Sequence, residues 1–362
     1  MIDQSTTGFV DWSVARATAT RLSGGGPLVA PTVAREVVQG LRQAAAAAVD
    51  PVAQTSLMQP VPAAVWEVAI VDRPGWIDAN VEGFAWLLTS VEQRLRDRPG
   101  FRIEALTAVG SRVTGVQAGG VLAWLAGRIL GQFEAFAPNG RSPRLMLVAP
   151  NVLVAERALG VDPDDFRAWV ALHEQTHWLQ FTAVPWLREY LRDLLAGYLD
   201  TTLPETGRAG DADPTAEAAG RLREVLAALA ALRTGASGLL RVLHTPAQAA
   251  AFDRLTAFMT LLEGHAEFIM DAVGPEVIPS VADIRSRVSR RRAQRRRGPD
   301  FVLHRLIGLD GKIRQYDEGR RFVAAAVAAL GMSGFNTVWT GPHTLPTSAE
   351  IADPAAWLSR IR

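Results

Sequence analysis

Apolar residues recur three and four apart along most of the chain, the period of a helix that buries one face. That pattern predicts helices over residues 11–22, 34–48, 81–96, 105–117 and 120–136. Further helices are predicted over 163–183, 186–199, 216–232, 247–272 and 312–330. Two short apolar runs depart from it, "WEVAIV" at 66–71 and "RLMLVA" at 144–149. Each is bounded by turn-forming residues and reads as a strand. The second is either an ordinary core strand or a sheet edge to which an extended peptide could add. The Gly/Pro/Asp-rich segment 201–215 reads as a loop. Gly24–Gly26 follow a helix rather than a strand, so they do not open a phosphate-binding loop. The predicted fold is mainly α with a small β-sheet, without internal repeats. It forms one unit over 1–362, with a mostly helical part at 1–143 and a part at 144–362 that carries the candidate chemistry.

Composition narrows the picture. A hydrophobic share of 48% supplies a core, and 21% charge argues against disorder. The formal net charge of +1 selects no partner by its overall field. Cysteine is absent, so disulfides and thiolate metal sites are excluded and any metal must be held by His, Asp or Glu. Lys312 is the one lysine among 38 basic residues, a bias towards arginine that reflects genome composition rather than a physical adaptation. The first twenty residues lack the basic and apolar regions of a signal peptide. The longest apolar run, 322–332, falls short of the ~20 residues of a membrane span. A cytoplasmic protein without a membrane partner is the resulting expectation.

The stretch "ALHEQTHWLQF" at 171–181 is where the chain departs from a plain core helix. Asp162 is placed to cap this helix, Pro163 suits its first position, and Asp164 and Asp165 favour its positive end. His173 and His177 are four residues apart, so both rings project from nearly one face and can reach one zinc ion. Glu174 is offset by about 100°, where it can touch a zinc-bound water without ligating the metal. This H-E-x-x-H arrangement supplies two ligands and a general base. With 6 histidines in 362 residues, chance gives the pattern in roughly one such chain in 200, so the metal reading outweighs two core histidines. The extended motif with glycine three residues after the second histidine, and a further histidine, is excluded, because Gln180 and Ala183 stand there.

The third ligand must therefore come from elsewhere. "LLEGHAEFIMD" at 261–271 places Glu263, Glu267 and Asp271 as an acidic stripe on an otherwise apolar helix, and buried acids need partners. His265 points about 200° away from Glu263, so a regular helix cannot offer both to one ion. Glu263 is the candidate ligand, with Glu267 as the acid that holds the N–H of a ligand histidine. The other frame makes Glu267 the ligand with Asp271 behind it, and a solvated acidic face remains a third reading.

These segments, with "DFRAWVALHEQTHWLQF" (165–181), "KIRQYDEGRRFV" (312–323), "FNTVWTGPHTLPTSAEIADPAAWLSR" (335–360) and "VDWSVARATATRL" (10–22), resemble an actinobacterial zincin-like metallopeptidase family. Some of its members are labelled deazaflavin-cofactor biosynthesis-associated. The resemblance spans nearly the whole chain. It implies a zincin-like fold with the H-E-x-x-H motif on a central helix, and a zinc-dependent hydrolase acting on peptides or proteins. Carried over by position, it makes His173, His177 and Glu263 the zinc ligands and Glu174 the base.

Tyr316, within "RQYDEG", is a candidate donor to the developing oxyanion, with half-buried packing as the alternative and His265 as a rival. His244, His304 and His343 have no partner visible in the sequence. Eight arginines within 285–297 could bind nucleic acid, but no aromatic residue is interleaved and a solvated helix or loop is the better reading. Besides a peptidase, two other classes fit: a zinc-binding interaction or regulatory protein without turnover, and a basic RNA-associated protein with structural zinc.

Overall fold

The computed structural model describes residues 10–96, 108–136, 142–202, 245–295 and 309–361. Helices α1 (Trp12–Ser23), α2 (Pro31–Ala47) and α3 (Val49–Ser56) lead into strand β1 (Val68–Val71). Helices α4 (Arg73–Arg96) and α5 (Ala108–Ala126) precede β2 (Gly131–Phe133) and β3 (Leu145–Val148). Next come α6 (Ala149–Leu159), α7 (Pro163–Ala183), α8 (Trp186–Thr202), α9 (Pro246–Val273) and α10 (Val281–Arg295). The chain closes with α11 (Leu309–Phe335), two 3-10 turns, α12 (Ser348–Ala352) and α13 (Pro354–Ile361). The mostly helical expectation with a small sheet holds.

Strand order is β1-β3-β2, with β1 parallel and β2 antiparallel to β3. β3 is thus central, and "RLMLVA" is not an edge; the edge beside α7 is β2. All four residues of β3 are buried, and its two faces serve different cores. Leu145 and Leu147 join the main core with α7 and α9, whereas Met146 and Val148 pack with Trp76, Ile77 and Leu122. Alternation of side chains across a strand explains why a short apolar run can line two cores. The sheet draws β1 and β2 from before residue 144 and β3 from after it, so the two sequence halves share one sheet.

The helix predicted over 120–136 is corrected. α5 runs unbroken through Ala118 and Gly119, which separate the two helices predicted there, and stops at Ala126. Residues 131–133 instead pair with β3, so sheet hydrogen bonding overrides the helical pattern there. α3 and α6 are not legible in the periodicity, being short and tied to neighbouring elements. The predicted helix 216–232 and all of the 201–215 loop beyond Thr202 lie outside the described residues, as do His244 and His304.

α7 is the centre of the molecule. The Asp162 carboxylate accepts from the backbone N–H of Asp164 and Asp165 at 3.0 Å each, and Pro163 opens the helix, as its sequence dictates. Buried Phe166, Trp169, Val170, Leu172, Trp178, Leu179 and Phe181 surround it, packing against α2, α9, β2 and β3. α9 begins at a reciprocal cap between Thr245 and Gln248 and lies between α7, α8 and α11.

α9 and α11 touch backbone to backbone. A Cβ on Gly264 would stand 2.2 Å from the Gly319 carbonyl carbon, and one on Gly319 would stand 2.3 Å from the Thr260 carbonyl oxygen. Only glycine fits at both positions. Among the described residues, the 23-residue stretch Asp317–Trp339 is long and apolar enough to cross a membrane, which the run at 322–332 did not anticipate. Its Phe322, Val323, Ala326, Phe335 and Val338 lie in the main core.

This crossing yields a stability prediction. Gly264→Ala should destabilise by about 3 kcal/mol or more, because backbone cannot rotate away as a side chain would. Gly197→Ala in α8, where an added Cβ meets nothing within 4 Å, should stabilise by about 0.5–1 kcal/mol. Urea unfolding midpoints of both variants check the opposite signs.

Candidate metal centre

His173 and His177 lie one turn apart on α7, their ring centroids 4.7 Å apart and their planes at 88°. Their Nε2 atoms are 3.2 Å from each other. Glu263, from α9, brings its Oε2 to 3.3 Å from His173 Nε2 and 3.7 Å from His177 Nε2. A zinc ion with bonds of about 2.0–2.1 Å to nitrogen and oxygen sets tetrahedral donors about 3.3–3.4 Å apart. Two of the separations match that edge and the third, 3.7 Å, is slightly longer. Glu263 Oε2 is buried without a hydrogen-bond partner, an arrangement a cation satisfies and a neutral core does not. Among the described residues, His173, His177 and Glu263 form the one group of three acid or histidine side chains close enough to share an ion. The donor set fits zinc.

Electrostatics agrees. Burial pushes the His177 imidazole down, but Glu263 opposite it, with Glu174 and Gln180, more than offsets this and raises it to about 9. Burial alone would raise the Glu263 carboxyl, yet the two imidazoles facing it hold it well below the usual carboxylate range. The imidazolium proton thus provides the positive charge that a metal ion would supply to the same carboxylate.

The remaining candidates fall into place around this centre. Glu174 is buried and lies outside the three-donor cluster, under the edge strand. A Cβ on Gly131 would be 2.5 Å from Glu174 Cγ and 2.8 Å from its Oε1, so β2 crosses directly over this carboxylate. His265 does not join the ligands. Its fully buried ring stacks on Phe335 and meets Trp339 edge-on, and burial, with the nearby His177 charge, drives its pKa down to about 3. Tyr316 lies within α11, but its side chain falls outside the described residues.

The expectation that Glu267 holds a ligand histidine is corrected. Its Oε2 accepts from Arg285 Nη1 at 3.0 Å, and its backbone carbonyl accepts from Nη2 of the same arginine. Asp271 pairs with Arg285 and, at 3.4 Å, with Arg320. The physical reason is the drift of i, i+4 positions by about 40° per step, which turns the lower stripe towards α10 and away from the imidazoles. The same drift removes the frame with Glu267 as ligand. Part of the arginine run is thereby committed internally: Arg285 to these acids, Arg287 to Asp283 and the Leu159 carbonyl, and Arg291 to the Ala158 carbonyl.

The histidine N–H groups turn instead to residues the sequence reading missed. His177 Nδ1 lies 2.9 Å from Gln180 Oε1, and His173 Nδ1 lies 3.2 Å from Met270 Sδ. Gln180 stands one turn after His177 and Met270 two turns after Glu263, so helical spacing carried the signal. A neutral amide and a thioether carry no charge that marks them as partners of a histidine.

Comparison with known proteins bears on this arrangement. Residues 10–358 match the profile of a family described as zincin-like metallopeptidase. The chain is also similar to a crystal structure of "a putative hydrolase with a novel fold" from Chloroflexus aurantiacus, at 30% identity and a TM-score of 0.66. That similarity covers 97% of this chain and 98% of the other. No curated protein matches the chain.

The charge state of His177 predicts proton release. Zinc requires a neutral imidazole, so binding near pH 7.5 should expel about one proton per metal. Calorimetry in buffers of different ionisation enthalpy reads this directly, and no release would show that zinc does not displace the His177 proton. The sign for stability follows from the raised value. In metal-free protein the His177 contribution is complete below pH 6.5 and is lost as pH rises through about 9. Zinc should abolish that alkaline loss in thermal unfolding.

Proposed function

Because the chain belongs to the zincin-like metallopeptidase family, we propose that it is a zinc-dependent peptidase whose ion is held by His173, His177 and Glu263. The observation that carries this reading is the convergence of three donors from two helices, with a second acidic group, Glu174, outside the cluster. Three protein ligands leave a coordination position for substrate or water. Zinc in such a site supplies Lewis-acid polarisation of a carbonyl and makes water more acidic.

The chain's own residues do the rest. Glu174 accepts the proton of the attacking water and passes it to the leaving amine. Its buried place under β2 limits where the carboxylate can go, so its reach is set by the strand rather than by solvent. Gly131, having no side chain, allows the strand to lie that close.

Two predictions test the proposal. Purified protein should carry about one zinc per chain by metal analysis, and Glu263→Ala should lose most of it. Glu174→Gln should keep its zinc and its melting temperature but cleave a peptide library about 10²–10⁴-fold more slowly. Loss of zinc in Glu174→Gln would make Glu174 a ligand or a structural group. Zinc-loaded wild-type protein that cleaves no peptide would favour a binding protein over an enzyme.

A further prediction concerns the strand. Gly131→Ala leaves all three ligands untouched but forces Glu174 aside, so zinc content should be unchanged while turnover falls about 10²-fold. Cleavage at the wild-type rate would show that the position of Glu174 under β2 is not what sets the rate.

A further inference from the structure

Gln180 is fully buried, and both ends of its amide have partners. Its Oε1 faces His177 Nδ1 at 2.9 Å. Its Nε2 donates to the Leu262 carbonyl at 3.0 Å and lies 3.0 Å from His265 Nδ1. The Leu262 oxygen is an acceptor only, so it must meet the NH2 end of the amide. That contact fixes which end is which. The carbonyl end must then face His177, and it can only accept. In the neutral ring the proton of His177 is thereby placed on Nδ1, leaving Nε2 free to bind an ion. The second amide hydrogen meets His265 Nδ1, which must accept, so His265 carries its proton on Nε2. Leu262 directly precedes Glu263, so one side chain joins a ligand histidine on α7 to the backbone beside the ligand carboxylate on α9.

We infer that Gln180 is the positioning residue of the metal centre: its amide sets the tautomer of His177 and clips the two ligand-bearing helices together at the ion. An acid in this place would be a stronger acceptor but could not donate to Leu262 and His265 while ionised. A glutamine does both, and its neutral acceptor withholds the extra electron density that a carboxylate would push through the imidazole to the metal. The two histidines are supported unequally. His173 rests on the Met270 thioether, a weak acceptor, whereas His177 is held by an oxygen that is itself anchored.

The inference rests on the zinc reading, and its test separates the two. Nitrogen-15 spectra of histidine-labelled wild-type protein should show His265 protonated on Nε2 whether or not zinc is present. With zinc bound, His177 should be protonated on Nδ1. The opposite tautomer at either ring would overturn the inference. A wild type that takes up no zinc would sink the metal reading while the His265 signal still reports the amide's orientation. In competition with a chelator, Gln180→Leu should bind zinc about 10–100-fold more weakly. Gln180→Glu, which keeps an acceptor for His177, should bind more tightly than the leucine variant, and Met270→Leu should change affinity less than either. Equal affinity of Gln180→Leu and wild type, or of the leucine and glutamate variants, would refute the role. Should Gln180→Leu fail to fold, the wild-type spectra alone decide.

Discussion

A carboxylate with one oxygen buried and only two imidazoles facing it is the constraint around which this molecule is arranged. Glu263 brings a negative charge into the seam between α7 and α9, and its inward oxygen has no hydrogen-bond donor of its own. Left uncompensated, such a charge would cost several kcal/mol. Its compensation must be positive and must come from the direction of His173 and His177. A proton on an imidazole serves, and a metal ion would serve in its place, so the geometry here suits a cation. The apolar belt of α7, the long α9 and the sheet's edge all serve to keep that point fixed.

Charge is segregated along α9 with the same economy. Three acids spaced four apart divide between two partners: the uppermost faces the histidines, and the lower two face Arg285 and Arg320. Arg285 and Arg320 thereby hold the lower two acids away from the histidines. The arginine-rich segment that looked like a candidate for nucleic acid contributes at least this one member to the site's own electrostatics.

The α7 motif was legible because every requirement was local. The Asp162 cap, the proline after it and the i, i+4 histidines all lie within one helix, and the predicted bounds 163–183 match the element found. Glu263 was legible as the leading candidate, since helical phase keeps it and His265 from reaching one point together, with Glu267 left as the other frame. Its neighbour Glu267 was misread because a stripe at i, i+4 looks straight in sequence and winds in space. Gln180 was visible only as a departure from a longer motif, and its role depends on Leu262 and His265, more than eighty residues away. The edge strand was hidden for a similar reason: Gly131–Phe133 has too few residues to show a period, and only its pairing with β3 makes it a strand.

The contact between Gly264 and Gly319 bears on ion choice. Helices that meet through side chains can slide as rotamers adjust, whereas two backbones in contact have no such play. Glu263, next to Gly264, is therefore denied any retreat along or away from α7. The three donors are then held in one fixed arrangement. Two imidazole nitrogens and a carboxylate oxygen, 3.2, 3.3 and 3.7 Å from one another, suit zinc, whereas calcium, which needs 6–8 oxygens, would meet two nitrogens it binds poorly and too few oxygens.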